Sequence, residues 1–240
     1  MKAVICSAGS GSRLFFLTKF MNKSLLRIGG IPLLTLIIMK LKKAGIAEND
    51  INIICLIKDF KDYSYELRDY DVRYSPFKED KGTGLHFYEA NERNKDYDGP
   101  ILVHYGDVIT DLDYSDMIRS YGGEECMIAV TKNIKHDYSK VTLSETSFAV
   151  EGFEEKPLLD SFAWSGVAIF DNKRIMKRID QNIEDGITFI DLAHNIFPNI
   201  VSDRSMTAFV YNGEWYDVGN LKSYQYVFDK FQKEGIVKTI

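Results

Sequence analysis

The chain opens on a short apolar run, Ala3-Val4-Ile5-Cys6, that empties directly into Ser7-Ala8-Gly9-Ser10-Gly11-Ser12-Arg13-Leu14. An apolar run bounded by such residues reads as a strand buried on both faces. Its exit is suited to close approach. Small residues let backbone N–H groups come near an anion, and clustered amides attract negative charge. Arg13 adds a planar, permanently charged fork that matches phosphate. The opening segment therefore reads as a strand, a turn and a grip for a phosphorylated ligand.

Two common phosphate motifs are excluded. A dinucleotide fingerprint needs Gly-x-Gly-x-x-Gly, and Leu14 stands where the third glycine would be. A P-loop needs Gly-Lys-Ser/Thr after four spacers, and no such run occurs. Taken alone, the loop reads equally as a tight strand-to-helix turn with a surface arginine.

Further along, strand and helix patterns alternate. Strands are expected at Ile51–Ile57, Val72–Ser75, Ile101–Tyr105 and Cys126–Thr131, with a short one at Leu25–Ile28. Leu33, Leu34, Ile37, Ile38 and Leu41 recur at helical spacing after Pro32, and Gly45 closes that helix. Helices are also expected from Gly84 to Ala90 and from Asp113 to Tyr121. This alternation implies a parallel sheet with helices on both faces. The second half changes character, with short strands at Val141–Leu143, Phe148–Phe153, Trp164–Phe170 and Met206–Tyr211. Helices are expected near Asn172–Gln181, Thr188–Phe197 and Ser223–Gln232. The expected architecture is thus a doubly wound, Rossmann-like mixed α/β sheet with a small strand-rich lobe. One domain over residues 1–240 is expected, with a nucleotide-binding half to about residue 131 and a sugar-phosphate half from about 132.

Composition narrows the classes. A formal charge of −5 over 240 residues argues against a general nucleic-acid binder. Three cysteines, Cys6, Cys55 and Cys126, sit in apolar stretches with no zinc spacing or disulfide framework. They read as core thiols of a reducing compartment. The N-terminal apolar run is too short for a signal peptide, and no apolar run approaches a membrane span. A cytoplasmic protein that spans no membrane is expected.

Five segments in sequence order resemble the sugar-phosphate nucleotidyltransferases, also called nucleoside-diphosphate-sugar pyrophosphorylases, including the glucose-1-phosphate thymidylyltransferase type. That family opens with Ala-Gly-x-Gly-x-Arg-Leu-x-Pro-Leu-Thr and Pro-Lys-x-Leu-Leu. Ala8-Gly9-Ser10-Gly11-Ser12-Arg13-Leu14-Phe15-Phe16-Leu17-Thr18 and Asn22-Lys23-Ser24-Leu25-Leu26 resemble these, with Phe16 and Asn22 replacing two loop-shaping prolines. Lys81-Gly82-Thr83-Gly84 resembles the Gly-Thr-Ala/Gly segment, and Tyr105-Gly106-Asp107 the Gly-Asp that ends a central strand. Gly152-Phe153-Glu154-Glu155-Lys156-Pro157, followed by Ser165-Gly166, resembles the Gly-Phe-x-Glu-Lys-Pro region. Trp215-Tyr216-Asp217-Val218-Gly219 resembles Trp-x-Asp-Ile-Gly. The match spans nearly the whole sequence. The chain is expected to stop where the family's catalytic domain stops, without the left-handed β-helix that some members add.

The resemblance implies the nucleotide-diphospho-sugar transferase fold and a reaction. An NTP and a sugar-1-phosphate give an NDP-sugar and pyrophosphate by in-line attack on the α-phosphate. It implies Mg²⁺, held by Asp107 and Asp217. It gives Arg13 and Lys23 catalytic roles on the phosphates, and places Ala8, Gly9, Gly11, Arg13, Gly82 and Thr83 at the nucleotide. Glu155, Lys156, Ser165 and Gly166 would bind the sugar phosphate. Ser139, beside Tyr138, falls where relatives have glycine near the sugar, a residue that would narrow or re-polarise the sugar pocket. NTP and sugar phosphate are the implied partners, without nucleic acid or membrane, and a homo-oligomer is compatible. Three alternatives stay open: a cytidylyltransferase acting on phosphocholine or a polyol phosphate, a non-catalytic nucleotide-sugar sensor, and a dinucleotide-dependent oxidoreductase, against which the missing third glycine counts.

Other candidates carry less. His86, His104, His136 and His194 show no metal-ligand spacing. The acidic run Asp107–Asp116 lacks the glycine of an EF-hand loop and reads as helix capping. Tyr63, Tyr65, Tyr70 and Tyr74 read as lid or core packing.

Overall fold

The computed structural model describes residues 1–9, 11, 14–19, 21–92, 97–132, 138–158 and 160–234. In chain order the elements are β1 (Lys2–Cys6), α1 (Phe15–Thr18), β2 (Arg27–Ile28), β3 (Ile31–Pro32), α2 (Leu33–Lys43), β4 (Ile51–Leu56), α3 (Phe60–Glu66) and β5 (Arg73–Phe77). Then come α4 (Thr83–Asn91), β6 (Pro100–Tyr105), β7 (Val108–Thr110), α5 (Tyr114–Ser120), β8 (Cys126–Thr131), β9 (Lys140–Leu143) and β10 (Val150–Glu154). The chain continues through β11 (Ala163–Asp171), α6 (Asn172–Glu184), α7 (Phe197–Ser202), β12 (Met206–Val210), β13 (Trp215–Asp217) and α8 (Leu221–Glu234).

Seven strands form one sheet in the order β12-β8-β11-β6-β1-β4-β5. All neighbours are parallel except β11, which runs antiparallel to both β6 and β8. The continuous apolar runs of the sequence are two interleaved faces. Ala3, Ile5, Ile53, Leu102 and Ile169 pack into one core, with α2, α5 and α8. Val4, Ile54, Val103, Ala168 and Phe170 point into the other, with α4, α6 and α7. The two-residue side-chain period of a strand sorts them.

The course of the chain creates a crevice. From β1 it passes through α2 to β4 and then β5 on one side; after α4 it returns to β6 on the other side of β1. Ligands of open α/β sheets lie beyond the carboxyl ends of strands at such a reversal. Here those ends carry the glycine-rich loop after Cys6 and the Gly106-Asp107 turn after Tyr105.

Several expectations shift. The helix expected at Thr188–Phe197 is a π-helical turn, Leu192–Ile196, running into α7. Residues 188–191 before it are non-helical, because the Ile190 N–H donates to the Lys81 carbonyl and the Ile190 carbonyl accepts from Gly84 and Leu85. The strand expected from Leu25 begins with a 3₁₀ turn, Lys23–Leu25, and only Arg27–Ile28 pair. Helix α3 gives no separate sequence signal, yet its Tyr63 is fully buried, whereas Tyr65 is exposed. Asp113 caps α5 by accepting from the Ser115 and Asp116 amides, as the capping reading expects.

The strand-rich lobe includes the β9–β10 ribbon. Leu143 lies opposite Val150 and Val141 opposite Phe153, so one face is apolar, and all four are exposed.

Phe170, fully buried on β11, has its ring centroid 6.1 Å from Phe87 and 6.0 Å from Phe197. Phe170→Ala should lower stability by about 3–5 kcal/mol in urea unfolding, the range for a large cavity with little room to collapse.

Candidate functional site

A cleft of about 380 Å³ opens at the crevice. Its lining includes Ala8, Gly9 and Lys23 from the β1 exit and the turn after it, Gly82, Thr83 and Asp191, and Asp107, Gly166 and Asp217.

The β1 exit makes the first wall. Asn22 stands where the resemblance has a proline, and its φ of −64° is the angle a proline ring imposes. The backbone shape is thus kept without the ring. The amide side chain adds what proline lacks. Its Oδ1 accepts from the Ser24 N–H at 3.1 Å, and its Nδ2 donates to Asp59 Oδ2 at 2.9 Å and to the Ser7 carbonyl at 3.3 Å. Behind it, buried Ser7 bonds to Ser24 and to the Tyr63 hydroxyl. This network holds the turn from which Lys23 projects, beside Gly9: a Cβ on Gly9 would stand 3.5 Å from Lys23 Nζ.

Lys23 forms an ion pair with Asp107, and both side chains are largely shielded, at 16% and 14% exposure. Asp107 follows β6 in the turn into β7. That turn is pinned to β13: Val108 pairs with Asp217, and the Val218 N–H donates to the Asp107 carbonyl at 2.8 Å. The Asp217 carboxylate accepts from the Gly219 N–H at 2.7 Å. Two carboxylates distant in sequence are therefore neighbours across a three-residue ribbon.

The opposite wall is set by Gly82 and Thr83. Gly82 has φ +89°, and a Cβ there would stand 2.6 Å from the Ile190 carbonyl carbon. Thr83 Oγ1 donates to Asp191 Oδ2 at 2.8 Å, accepts from the Leu192 N–H at 3.0 Å and lies 3.1 Å from the Tyr105 hydroxyl. Asp191 also caps the π turn by accepting from the Ala193 and His194 amides. Sequence reasoning did not single out Asp191, which falls inside the helix expected from Thr188. Cys6 also lines the cleft, and burial, followed by the charges of Asp191 and Asp107, pushes its thiol up to about 12. It is a neutral thiol at neutral pH, not a nucleophile.

The expected site residues divide accordingly. Ala8, Gly9, Lys23, Gly82, Thr83, Asp107, Gly166 and Asp217 are brought together. Gly166 has φ +76° at a register shift in β11, and its lack of a Cβ leaves room for Val108. Ser165 is buried just behind, its hydroxyl donating to the Ala129 carbonyl at 3.0 Å and its carbonyl accepting from the Trp215 indole at 2.9 Å. It supports the wall rather than lining it. Gly11 accepts at its carbonyl from the Thr18 hydroxyl at 2.9 Å and shapes the loop from outside the cleft lining. Glu155 and Lys156 are exposed at the end of β10, 3.4 Å from each other, and Ser139 donates to Glu155. Neither is among the residues lining the cleft. Arg13 lies outside the described residues, as does His136. Among the described residues, no group of three or more His, Cys, Asp or Glu side chains gathers as a self-sufficient metal cage.

An open mixed sheet with this crevice is the nucleotide-diphospho-sugar transferase fold. A solved Bacillus anthracis structure in complex with sucrose matches at TM-score 0.73 and 23% identity, covering 96% of this chain and 94% of that one. A family profile described as nucleotidyl transferase matches residues 2–234. The chain belongs to the nucleotidyl transferase family. Its curated relatives include the rice (Oryza sativa subsp. japonica) protein named "Probable mannose-1-phosphate guanylyltransferase 1", at 27% identity over 93% of this chain and 63% of that protein. Another is a glucose-1-phosphate adenylyltransferase of Clostridium perfringens, at 27% identity over 92% of this chain and 63% of that enzyme. The chain thus spans just under two thirds of the length of these relatives. Among the described residues, no helix is long and apolar enough to cross a membrane.

Gly82→Ala would force a left-handed conformation and a collision with the Ile190 backbone, neither of which a side-chain rotation relieves. A loss of about 2 kcal/mol or more is expected in urea unfolding. Raised hydrogen exchange should appear first at the Gly84, Leu85 and Ile190 amides.

Proposed function

We propose that this protein is a sugar-1-phosphate nucleotidyltransferase. In this reaction a phosphate oxygen of the sugar-1-phosphate attacks the α-phosphorus of an NTP. The bond from that phosphorus to the bridging oxygen breaks, and pyrophosphate leaves. The observation that carries the reading is the Lys23–Asp107 pair in a cleft that Asp217 also lines.

Bringing two anions together calls mainly for charge neutralisation and alignment. Lys23 supplies a compact ammonium on a turn held from behind by Asn22. In the reaction it exchanges Asp107 for phosphate oxygens at the α-phosphate. The glycine-loop amides and Arg13 take the departing pyrophosphate. Gly82 and Thr83 form the nucleobase wall, so that nucleotide binding falls to the half up to about residue 131. The sugar phosphate falls to the later half, through Gly166 and the Glu155-Lys156 segment.

Asp107, in the turn into β7, and Asp217, on the adjoining β13, present hard oxygen donors. That donor set fits Mg²⁺, which binds through one or two carboxylates and completes its shell with water and substrate phosphates. Such an ion, held by these two carboxylates, would supply charge neutralisation as negative charge develops on the phosphates. Two protein carboxylates suffice for that arrangement. The cytoplasm, where NTPs are available, is the compartment we assign to the protein.

The test is pyrophosphate release over a panel of NTPs and sugar-1-phosphates with Mg²⁺. Turnover of at least one pair is expected. Asp107→Asn should lower kcat by about 10²-fold or more, the scale for losing one preorganised charge contact, with the urea midpoint little changed. Binding of nucleotide sugars with no turnover by the unaltered protein would overturn the enzymatic reading in favour of a sensor.

A further inference from the structure

His104 is fully buried in the middle of the sheet, an unusual place for a titratable ring. It lies opposite Ile5 on β1 and Val167 on β11, three residues before Asp107. On β6 it shares the parity of Leu102, which directs its ring into the α2/α5 core.

Both ring nitrogens are engaged. Nδ1 lies 2.8 Å from the carbonyl oxygen of Tyr105, and Nε2 lies 2.7 Å from the Tyr114 hydroxyl. A carbonyl only accepts, so Nδ1 carries the proton. Nε2 then has a bare lone pair, so Tyr114 donates to it. The contacts select one neutral tautomer. Burial pushes the ring down to about 4, with the Tyr105 contact opposing that shift. Lys40 of α2 sits 5.3 Å from the Tyr114 ring centroid and donates to the Thr110 carbonyl at 2.7 Å.

The Tyr105 carbonyl has a particular need for this donor. The β6–β11 register runs from Pro100 to His104 and stops there, just before Gly166, whose φ is +76° and which lies where the register of β11 against β8 shifts. Next along the chain, the Gly106 N–H donates to the Cys6 carbonyl at 2.8 Å, and the Asp107 carbonyl accepts from Val218. The turn that presents Asp107 is therefore tied to β1 and to β13. His104 supplies the tie on its remaining side.

We propose that His104, oriented by Tyr114, is a positioning residue for Asp107. Its Nδ1–H replaces the hydrogen bond that β11 gives up at Gly166, and so fixes the peptide from which the Gly106-Asp107 turn departs. This role rests on the reading of Asp107 as a site residue. It leaves His104 without contact to substrate.

Three measurements test it. Side-chain ¹⁵N spectra of the unaltered protein should show His104 as the Nδ1–H tautomer from about pH 5.5 to 8, the range in which an ordinary histidine titrates. Finding the Nε2–H tautomer or the imidazolium there overturns the proposal. Second, His104→Asn keeps an N–H donor near the position of Nδ1, whereas His104→Leu removes it; both lose the Tyr114 bond. His104→Leu should displace the Gly106 and Asp107 amide resonances, and His104→Asn should restore them. Equal displacement in both overturns it. Third, on the best substrate pair, His104→Leu should lower kcat about tenfold or more with KM for NTP unchanged, since a small misplacement is costly at a reacting centre. His104→Asn should recover to within about threefold of the unaltered kcat, a difference of under about 1 kcal/mol. A kcat that follows the urea midpoint in both variants overturns it. If His104→Leu does not fold, Tyr114→Phe serves in its place: losing the donated hydrogen bond should shift the His104 Nε2 resonance while Nδ1 stays protonated, and an unchanged Nε2 resonance or a lost Nδ1–H overturns the proposal. Absence of turnover in the unaltered protein would defeat the proposed reaction, while the tautomer and amide resonances would still decide the positioning role.

Discussion

The candidate site hangs on one short stretch of backbone pairing. Three residues of β7 pair with three of β13, and this sets Asp217 beside the turn that carries Asp107. Each strand is too short to be stable alone. What secures them is their setting: β7 continues from the buried strand β6, and Val218 and the α8 residues Val227 and Phe231 are packed into the main core. The late part of the chain is thereby sewn to the end of a central strand.

The Lys23–Asp107 pair then joins that ribbon to the turn following β1. A shielded ion pair carries a desolvation cost that its attraction only partly offsets. Its effect here is to hold a cation and a carboxylate side by side in the cleft. The cleft keeps Lys23 on the β1 side, and Asp107 and Asp217 where β7 meets β13. This separation follows from the reversal of strand order between β1 and β6.

Polar groups around the cleft are held by networks that reach well behind it. Asn22, Ser7, Ser24 and Tyr63 support the Lys23 turn. Thr83, Asp191 and Tyr105 lock the opposite wall. Tyr105 also stacks edge-on against Trp164 at 5.0 Å between centroids, which ties that wall to β11. In a low-dielectric interior, polar networks whose members all find partners rigidify the groups they hold.

Much of this was legible in the residues themselves. Continuous apolar runs announced a sheet covered on both faces, because strands that alternate between two cores show no polar side. The small residues after Cys6 and the ordered motifs pointed to phosphates and to Lys23, Asp107 and Asp217, since charge type and spacing are local properties. Asn22 was legible only as a departure from a proline. Its φ and its three hydrogen bonds, decided in three dimensions, show the turn kept by a different device. Asp191, the β7–β13 ribbon and the tautomer of His104 depended on partners remote in sequence, and no local periodicity encodes such pairings. Sequence determined which chemistry the chain carries and the layers it folds into; tertiary structure decided which of those groups meet, because register and burial exist only once distant segments pack.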